Sequence, residues 1–276
     1  MHTHSGRIVR DRIRIDASPQ QVWEAWTDPA KISQWFPDHA SGEPRVGSTV
    51  SWTWDACQSH FPDLVLEAEP RHRFLLGQAA PAAGRPPALL EILIERQGGG
   101  TVLTLVHSGF RDGAEWDDEY QGFASGWTVM LHVLKDYVER HFDRPRAHFF
   151  LMKPAAIEYA DLGPYFRTAP ALARWLTDSG SIGIAGDAVR LALKDGTAVT
   201  GQVLAVTPRS ILVRWDEIGG VFGVEAFALG PGQRLVSAHL SAWDLDPARA
   251  AEIERSIDQA LDRLAALFPI PEHARA

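Results

Sequence analysis

Cysteine is almost absent from this sequence of 276 residues, in which Cys57 is the only one. A single thiol forms no disulfide within the chain, which excludes the disulfide-rich secreted frameworks and favours the cytoplasm. The sequence also lacks the Cys-x-x-Cys, His-Glu-x-x-His, P-loop and Gly-x-Gly-x-x-Gly motifs of metal, nucleotide and dinucleotide sites. We therefore expect neither a metal nor a cofactor.

Basic charge and long apolar runs are missing as well. The formal net charge is −8, so we expect no general affinity for nucleic acid or for anionic membrane surfaces. No apolar run approaches the roughly 18 residues of a membrane span. The first residues, MHTHSGRIVRDRIRID, lack the apolar core of a signal peptide. These observations predict a globular, cytoplasmic protein with neither nucleic acid nor membrane as a partner.

Tryptophan is abundant, and seven of the ten lie before residue 128. In this half, alternation predicts a half-solvated strand over 7–16. Ser18 and Pro19 suit the start of a helix, Asp28-Pro29 ends it, and a short second helix leads to Trp35. Turn signals then separate five predicted strands, with QGGG as a hairpin turn, at 47–54, 63–69, 72–77, 88–96 and 101–107. A long helix follows over 119–142.

The second half repeats the first after a Pro-containing connecting segment near Asp143. Five segments match in the same order, which indicates two copies of one α+β fold. The matching pairs are 27–36 with 168–176, 45–54 with 184–193, 64–76 with 202–214, 99–109 with 231–241, and 129–138 with 259–268. This alignment pairs His107 with His239. The first strand and the Gly126-Trp127 pair have no clear counterpart in the second half.

The first copy resembles the START-like, helix-grip (SRPBCC) superfamily and, within it, the family named after the activator of the heat-shock-chaperone ATPase. The resemblance covers most of residues 7 to 142 and is fainter in the second half. It is carried by VWEAWTDPAKISQWFP (22–37), GSTVSWTW (47–54), LEAEPRHRF (66–74), GGTVLTLVHSGF (99–110) and GWTVMLHVLKDYV (126–138). It implies an α+β protein of two helix-grip domains, each with a curved antiparallel sheet wrapped on a long C-terminal helix. Two short helices plug one end, and an apolar cavity often lies between sheet and helix.

We expect the first domain, residues 1–145, to hold a ligand cavity. The helix presents an apolar stripe, and Gly122 and Gly126 leave space beside it. Strand alternation places Trp52 and Trp54 on one face of their strand. In the same way it places His107 and two leucines on one face of a later strand. The predicted ligand-binding residues are Trp52, Trp54, Phe74, His107, Phe110, Phe123, Trp127 and Met130. Aromatic side chains with one polar group are typical of small-molecule sites, although the same residues would also fill an ordinary aromatic core.

The second domain, residues 146–276, is expected to lack a functional cavity, because Val189, Leu191 and Leu193 replace Val50, Trp52 and Trp54. It would pack on the first domain or form a homodimer. The leading function is non-catalytic binding of a small hydrophobic or aromatic molecule. Two alternatives stay open: a polyketide cyclase- or aromatase-like enzyme using His107 for proton transfer, and a chaperone-ATPase-activating interaction module. Fold membership does not choose among them.

Overall fold

A computed structural model describes residues 4–78, 87–230 and 232–271 of the chain. The protein divides into two compact units, Met1–Arg144 and Pro145–Ala276. Each unit combines helices with a seven-stranded antiparallel sheet, and the element order of the first is repeated in the second. The predicted α+β fold with two helix-grip domains is confirmed. Pro231, at the start of one matched repeat segment, lies outside the described residues.

The first unit begins with a strand and ends with the long helix. Its sheet has the order β1-β7-β6-β5-β4-β3-β2. Its elements are β1 Arg7–Ile15, α1 Pro19–Thr27, α2 Pro29–Ile32, β2 His39–Ser41, β3 Thr49–Trp54, β4 Ser59–Glu69, β5 Arg73–Gln78, β6 Leu89–Gln97, β7 Gly100–Phe110 and α3 Asp117–Arg140.

The alternation of β1 and the capping of α1 agree with the sequence predictions. On β1 the arginines at 10, 12 and 14 are exposed while Val9 and Ile15 are buried. Ser18 caps α1 through a capping box with Gln21, which satisfies backbone donors that the first helical turn leaves free. The short strand β2 was not predicted, because three residues carry too little alternation to be recognised.

The second unit repeats this order. Its sheet runs β8-β14-β13-β12-β11-β10-β9. Its elements are β8 Arg146–Ala155, α4 Tyr159–Arg167, α5 Ala169–Leu172, β9 Thr177–Ser179, β10 Ala188–Leu193, β11 Ala198–Val206, β12 Ser210–Trp215, β13 Gly220–Gly230, β14 Gln233–Trp243 and α6 Pro247–Leu267. Asp246 caps α6 by accepting hydrogen bonds from the backbone of Ala248 and Arg249, as its Asp-Pro start indicates.

The prediction that a connecting segment without its own elements links the two copies is wrong, because this stretch contains β8 and α4. These are the counterparts of β1 and α1. Most of β8 is half-buried without alternation, so no period of two stands out. Pro154 also reads as a strand breaker, but β8 is an edge strand, where a missing backbone donor is tolerated. Helix α4 was missed for a similar reason, because Gly163 and Pro164 lie inside it and both residue types usually indicate the end of a helix.

One hydrogen bond recurs in both units and fixes their correspondence. The indole N–H of Trp35 donates to the carbonyl of Ala25 at 2.9 Å, and that of Trp175 donates to the carbonyl of Tyr165 at 2.8 Å. Both tryptophans follow the short second helix of their unit, and both are buried. The bond ties the end of the helix pair together in each copy.

Among the described residues, no helix combines the length and the apolar character needed to cross a membrane.

We expect Trp35→Phe and Trp175→Phe to lower the free energy of unfolding by similar amounts, about 1–3 kcal/mol each, because each leaves a buried or part-buried backbone carbonyl without its donor. Urea denaturation followed by circular dichroism measures the change. Trp54→Phe is the control, since Trp54 is half-buried and its indole N–H makes no such bond. A loss in the control as large as in the other two would show that ring size, and not the hydrogen bond, matters.

Candidate functional site

The long helix α3 has a closely packed second half and a sparsely packed first half. Leu131, Leu134 and Val138 are buried, as the apolar stripe predicts. Phe123 of the same stripe is 41% exposed. A Cβ added at Gly126 would meet no atom within 4 Å, so this glycine borders open space. The first half of α3 therefore lies less closely against the rest of the unit.

Strand β7 contributes a polar group to the face that meets α3. Leu103 and Leu105 are buried on this face, and His107 is half-buried beyond them. Gly109 then forms a bulge with φ +95°, and a Cβ there would approach the backbone of Ala88 to 2.6 Å. Because the bulge adds a residue, Phe110 returns to the side of His107, and their ring centroids lie 4.7 Å apart.

Six rings form a continuous row through the unit, which we call the aromatic row. Successive ring centroids are 5.0–6.0 Å apart, mostly edge to face, the preferred arrangement of aromatic pairs. In order, the row consists of Phe61, Trp54, Phe36, Trp127, His107 and Phe123. Its two end residues, Phe61 and Phe123, are 48% and 41% exposed. The row thus reaches solvent at both ends.

The structure brings six of the eight predicted residues to this row. Trp54, His107, Phe123 and Trp127 belong to it, Trp52 contacts Phe36 at 5.4 Å, and Phe110 contacts His107. The other two lie elsewhere. The ring of Phe74 contacts Trp23 at 5.7 Å, and Met130 is half-buried on α3.

Phe36 is the central residue that the sequence analysis missed. Its ring contacts Trp54 at 5.0 Å and Trp127 at 5.3 Å, and so joins strand β3 to helix α3. It directly follows Trp35, just as Leu176 directly follows Trp175 in the second unit. The repeat therefore held a usable signal: Phe36 becomes leucine in copy two, as Trp52 and Trp54 do.

A hydrogen bond inside the row selects the tautomer of His107, and burial keeps its ring neutral. The indole Nε1 of Trp127 donates to Nδ1 of His107 at 3.0 Å. An indole nitrogen only donates, so Nδ1 carries no proton and the neutral ring carries its proton on Nε2. Burial lowers the pKa of His107 from the usual 6.5 to about 4. The ring is therefore neutral at neutral pH.

A small recess lies near the aromatic row. A recess between the short helices and strands β2 and β3 has a volume of about 10 Å³, which is room for about one water molecule. Trp26, Trp52 and Phe74 are among its lining residues. The indole N–H of Trp26 is buried there without a hydrogen-bond partner in the described part of the chain. A larger depression of about 630 Å³ is an open, charged surface around Arg10, Arg12 and Glu95.

The pairing of His107 with His239 is wrong, because the two side chains lie on opposite faces of their sheets. His107 faces helix α3. On β14 the core-facing residues are Ala238 and Leu240, so His239 points the other way, 4.0 Å from a carboxylate oxygen of Glu225. A shift of one residue in the alignment exchanges the two faces of a strand. Burial lowers the pKa of His239 to about 4 and raises that of Glu225 to about 7.

The second unit fills the corresponding core with aliphatic side chains. Leu176, Leu191 and Leu193 are buried there and pack in one cluster with Ile257 and Leu261 of α6. Trp175 is the tryptophan shared with the first unit. Across the described ranges, no group of three or more His, Cys, Asp or Glu side chains is placed to hold a metal ion.

Residues 16–139 match the family described as Activator of Hsp90 ATPase homolog 1-like protein. The match lies within the first unit, and that unit belongs to this START-like family; the whole chain is a tandem of the fold. The comparison with curated proteins found no match.

Several solved structures are similar to this chain. The Aha1 dimer from Colwellia psychrerythraea has 22% identity and a TM-score of 0.44, covering 49% of this chain and 97% of that one. DynU16, from the dynemicin biosynthetic locus, has 20% identity and a TM-score of 0.42, covering 94% and 98%. BexL, a di-domain ARO/CYC from the BE-7585A biosynthetic pathway, has 16% identity and a TM-score of 0.43, covering 98% and 99%.

We expect Gly126→Ala to raise the free energy of unfolding by up to about 1 kcal/mol, because alanine favours the helix and its Cβ meets open space. The matched control, Gly109→Ala, should lower it, since it combines a positive φ with a close backbone contact. Urea denaturation measures both. A destabilising Gly126→Ala would mean that the space beside the glycine is not free in solution.

The pKa of His107 predicts a pH dependence of stability. The pKa is about 4 in the folded protein and near 6.5 in an unfolded chain, so the unfolded chain binds the proton first as the pH falls. The free energy of unfolding should therefore decrease between about pH 6.5 and pH 4, with this contribution fully present above pH 6.5. Denaturation curves of the wild type and His107→Leu over this range test it. Parallel pH profiles of the two proteins would contradict the assignment.

Proposed function

We propose that the first unit binds a small, flat apolar or aromatic molecule along the aromatic row, without catalysing a reaction. The observation that carries this proposal is the row itself, with Phe61 and Phe123 exposed at its ends. Aromatic side chains prefer burial, and exposed ones that join a partly buried row offer a ligand both contact area and a route inward. The second unit retains the fold without the row, so the fold itself does not require these rings.

Ligand entry requires side chains to move, because successive rings of the row already contact one another. Phe36 is the candidate for this movement. It is half-buried, lies just beyond α2, and its ring contacts those of Trp35, Trp54 and Trp127. A flat ligand that takes its place restores ring contacts with the same neighbours, each worth about 0.5–1.5 kcal/mol.

Titration with naphthalene, an apolar bicyclic probe, tests the proposal. We expect the indole N–H signals of Trp54 and Trp127 to shift in two-dimensional NMR spectra, while that of Trp175 in the second unit stays in place. Trp54→Leu, which introduces the residue of the second unit, should weaken binding several-fold through lost apolar contact.

The matched control is Trp116→Leu, since Trp116 is also half-buried but packs under the guanidinium of Arg111 at 3.3 Å. It should leave naphthalene binding unchanged. Shifts absent from the first unit, or equal weakening in both variants, would refute binding at the aromatic row.

A cyclase- or aromatase-like reaction is the second candidate, and His107 is the residue that suggests it. Such a reaction needs a group that gives or takes a proton near neutral pH. With a pKa of about 4 the ring is neutral near pH 7, so the imidazolium form that would act as a general acid is scarcely populated. Its Nδ1 lone pair is engaged by Trp127. These properties support a binding role for His107 over proton transfer.

Activation of a chaperone ATPase is the third candidate, and the family match of residues 16–139 suggests it. A measured stimulation of Hsp90 ATPase activity by the full chain would support it. The homodimer and the cytoplasmic location inferred from the sequence stay predictions.

A further inference from the structure

We propose that His107 makes the site selective for neutral aromatic ligands that carry a carbonyl group, by donating a hydrogen bond from Nε2 to the carbonyl oxygen. This inference rests on the proposed function, because it names the class of ligand that the aromatic row accepts. It adds a polar anchor to a site otherwise built from apolar rings.

The direction of the Trp127–His107 hydrogen bond supplies the donor. Trp127 Nε1 gives its proton to Nδ1 of His107 at 3.0 Å. Because a neutral imidazole carries one proton, that proton is on Nε2. The tautomer is therefore selected from within the protein, before any ligand arrives.

The surroundings of His107 leave this donor available. Its ring is packed against Phe110, Phe123 and Trp127, with centroids 4.7–6.0 Å away, and none of these side chains offers an acceptor. Its register partners on the neighbouring strands, Val9 and Leu90, are apolar. Within the described ranges Nε2 has no hydrogen-bond partner.

These surroundings also determine which acceptor fits. A carboxylate or phosphate would give up its hydration among aromatic rings and against a neutral imidazole, which is costly without a counter-charge. A ketone or quinone-type carbonyl loses less hydration, and one N–H donor satisfies it. Because the carbonyl is conjugated to a flat ring, the same molecule also packs against Phe123 and Trp127.

The test compares 1-indanone with indane, which have the same bicyclic shape but differ in the carbonyl. Isothermal titration calorimetry gives both dissociation constants for the wild type and for His107→Leu. We expect the affinity ratio of indanone to indane to fall about tenfold in the variant, the usual effect of losing one hydrogen bond. Using the ratio cancels any general effect of the substitution on packing.

The outcomes separate this inference from the proposed function. Binding of both probes with the same ratio in wild type and variant would overturn the role of His107 and leave ligand binding at the row intact. Binding of neither probe by the wild type would overturn both. Nitrogen-15 NMR of the His107 ring is independent of any ligand: we expect protonated Nε2 and unprotonated Nδ1 at pH 7. The opposite tautomer would overturn the inference alone.

Trp127→Phe provides the last arm, because it keeps a ring in the row and removes the donor to Nδ1. We expect the Nδ1–H tautomer to become populated and the affinity ratio of indanone to indane to decrease. An unchanged tautomer in this variant would show that Trp127 does not set the protonation of His107, and would refute the proposed coupling.

Discussion

The hydrogen bond between Trp127 and His107 is the contact on which the first unit's site depends. It is a specific polar link between helix α3 and strand β7 within a region that is otherwise packed by rings. It orients two consecutive members of the aromatic row, and it holds the imidazole in one neutral tautomer. Burial strengthens the effect, because a charged imidazole is disfavoured among aromatic neighbours. The packing of these two residues and the tautomer of His107 therefore follow from one contact.

The two units show how one scaffold is filled in two ways. Both retain the buried tryptophan that follows the short helices, with its indole hydrogen bond to a backbone carbonyl. The residue after it is Phe36 in one unit and Leu176 in the other. On the facing strand, indoles in the first unit correspond to leucines in the second. The indole hydrogen bond is thus the same in both units, while the side chains that fill the core differ. The fold therefore does not depend on which residues form the candidate site.

Much of the fold was predictable from the sequence, because alternation, helix caps and turn residues are local signals. The capping box at Ser18 and the Asp-Pro start of α6 are examples. Strand β8 was missed since its half-buried residues do not alternate and Pro154 suggests a break. The face on which His239 lies was predicted wrongly, because a shift of one residue in the alignment of the two copies exchanges the two faces of a strand. Phe36 has a signal only in the comparison of the two copies, and the bond from Trp127 to His107 depends on side chains brought together by tertiary packing, which a local pattern does not encode.

The glycines of α3 now have a physical context. Gly126 directly precedes Trp127, borders open space, and lies one turn after the exposed Phe123. Trp127 itself is 5% exposed and packs against Trp26 and Phe36, so the closely packed part of α3 begins at the residue that holds His107. Under the selectivity proposed above, a ligand carbonyl that accepts from Nε2 favours the same tautomer that Trp127 favours through Nδ1. Binding of such a ligand and the bond between Trp127 and His107 would therefore stabilise each other.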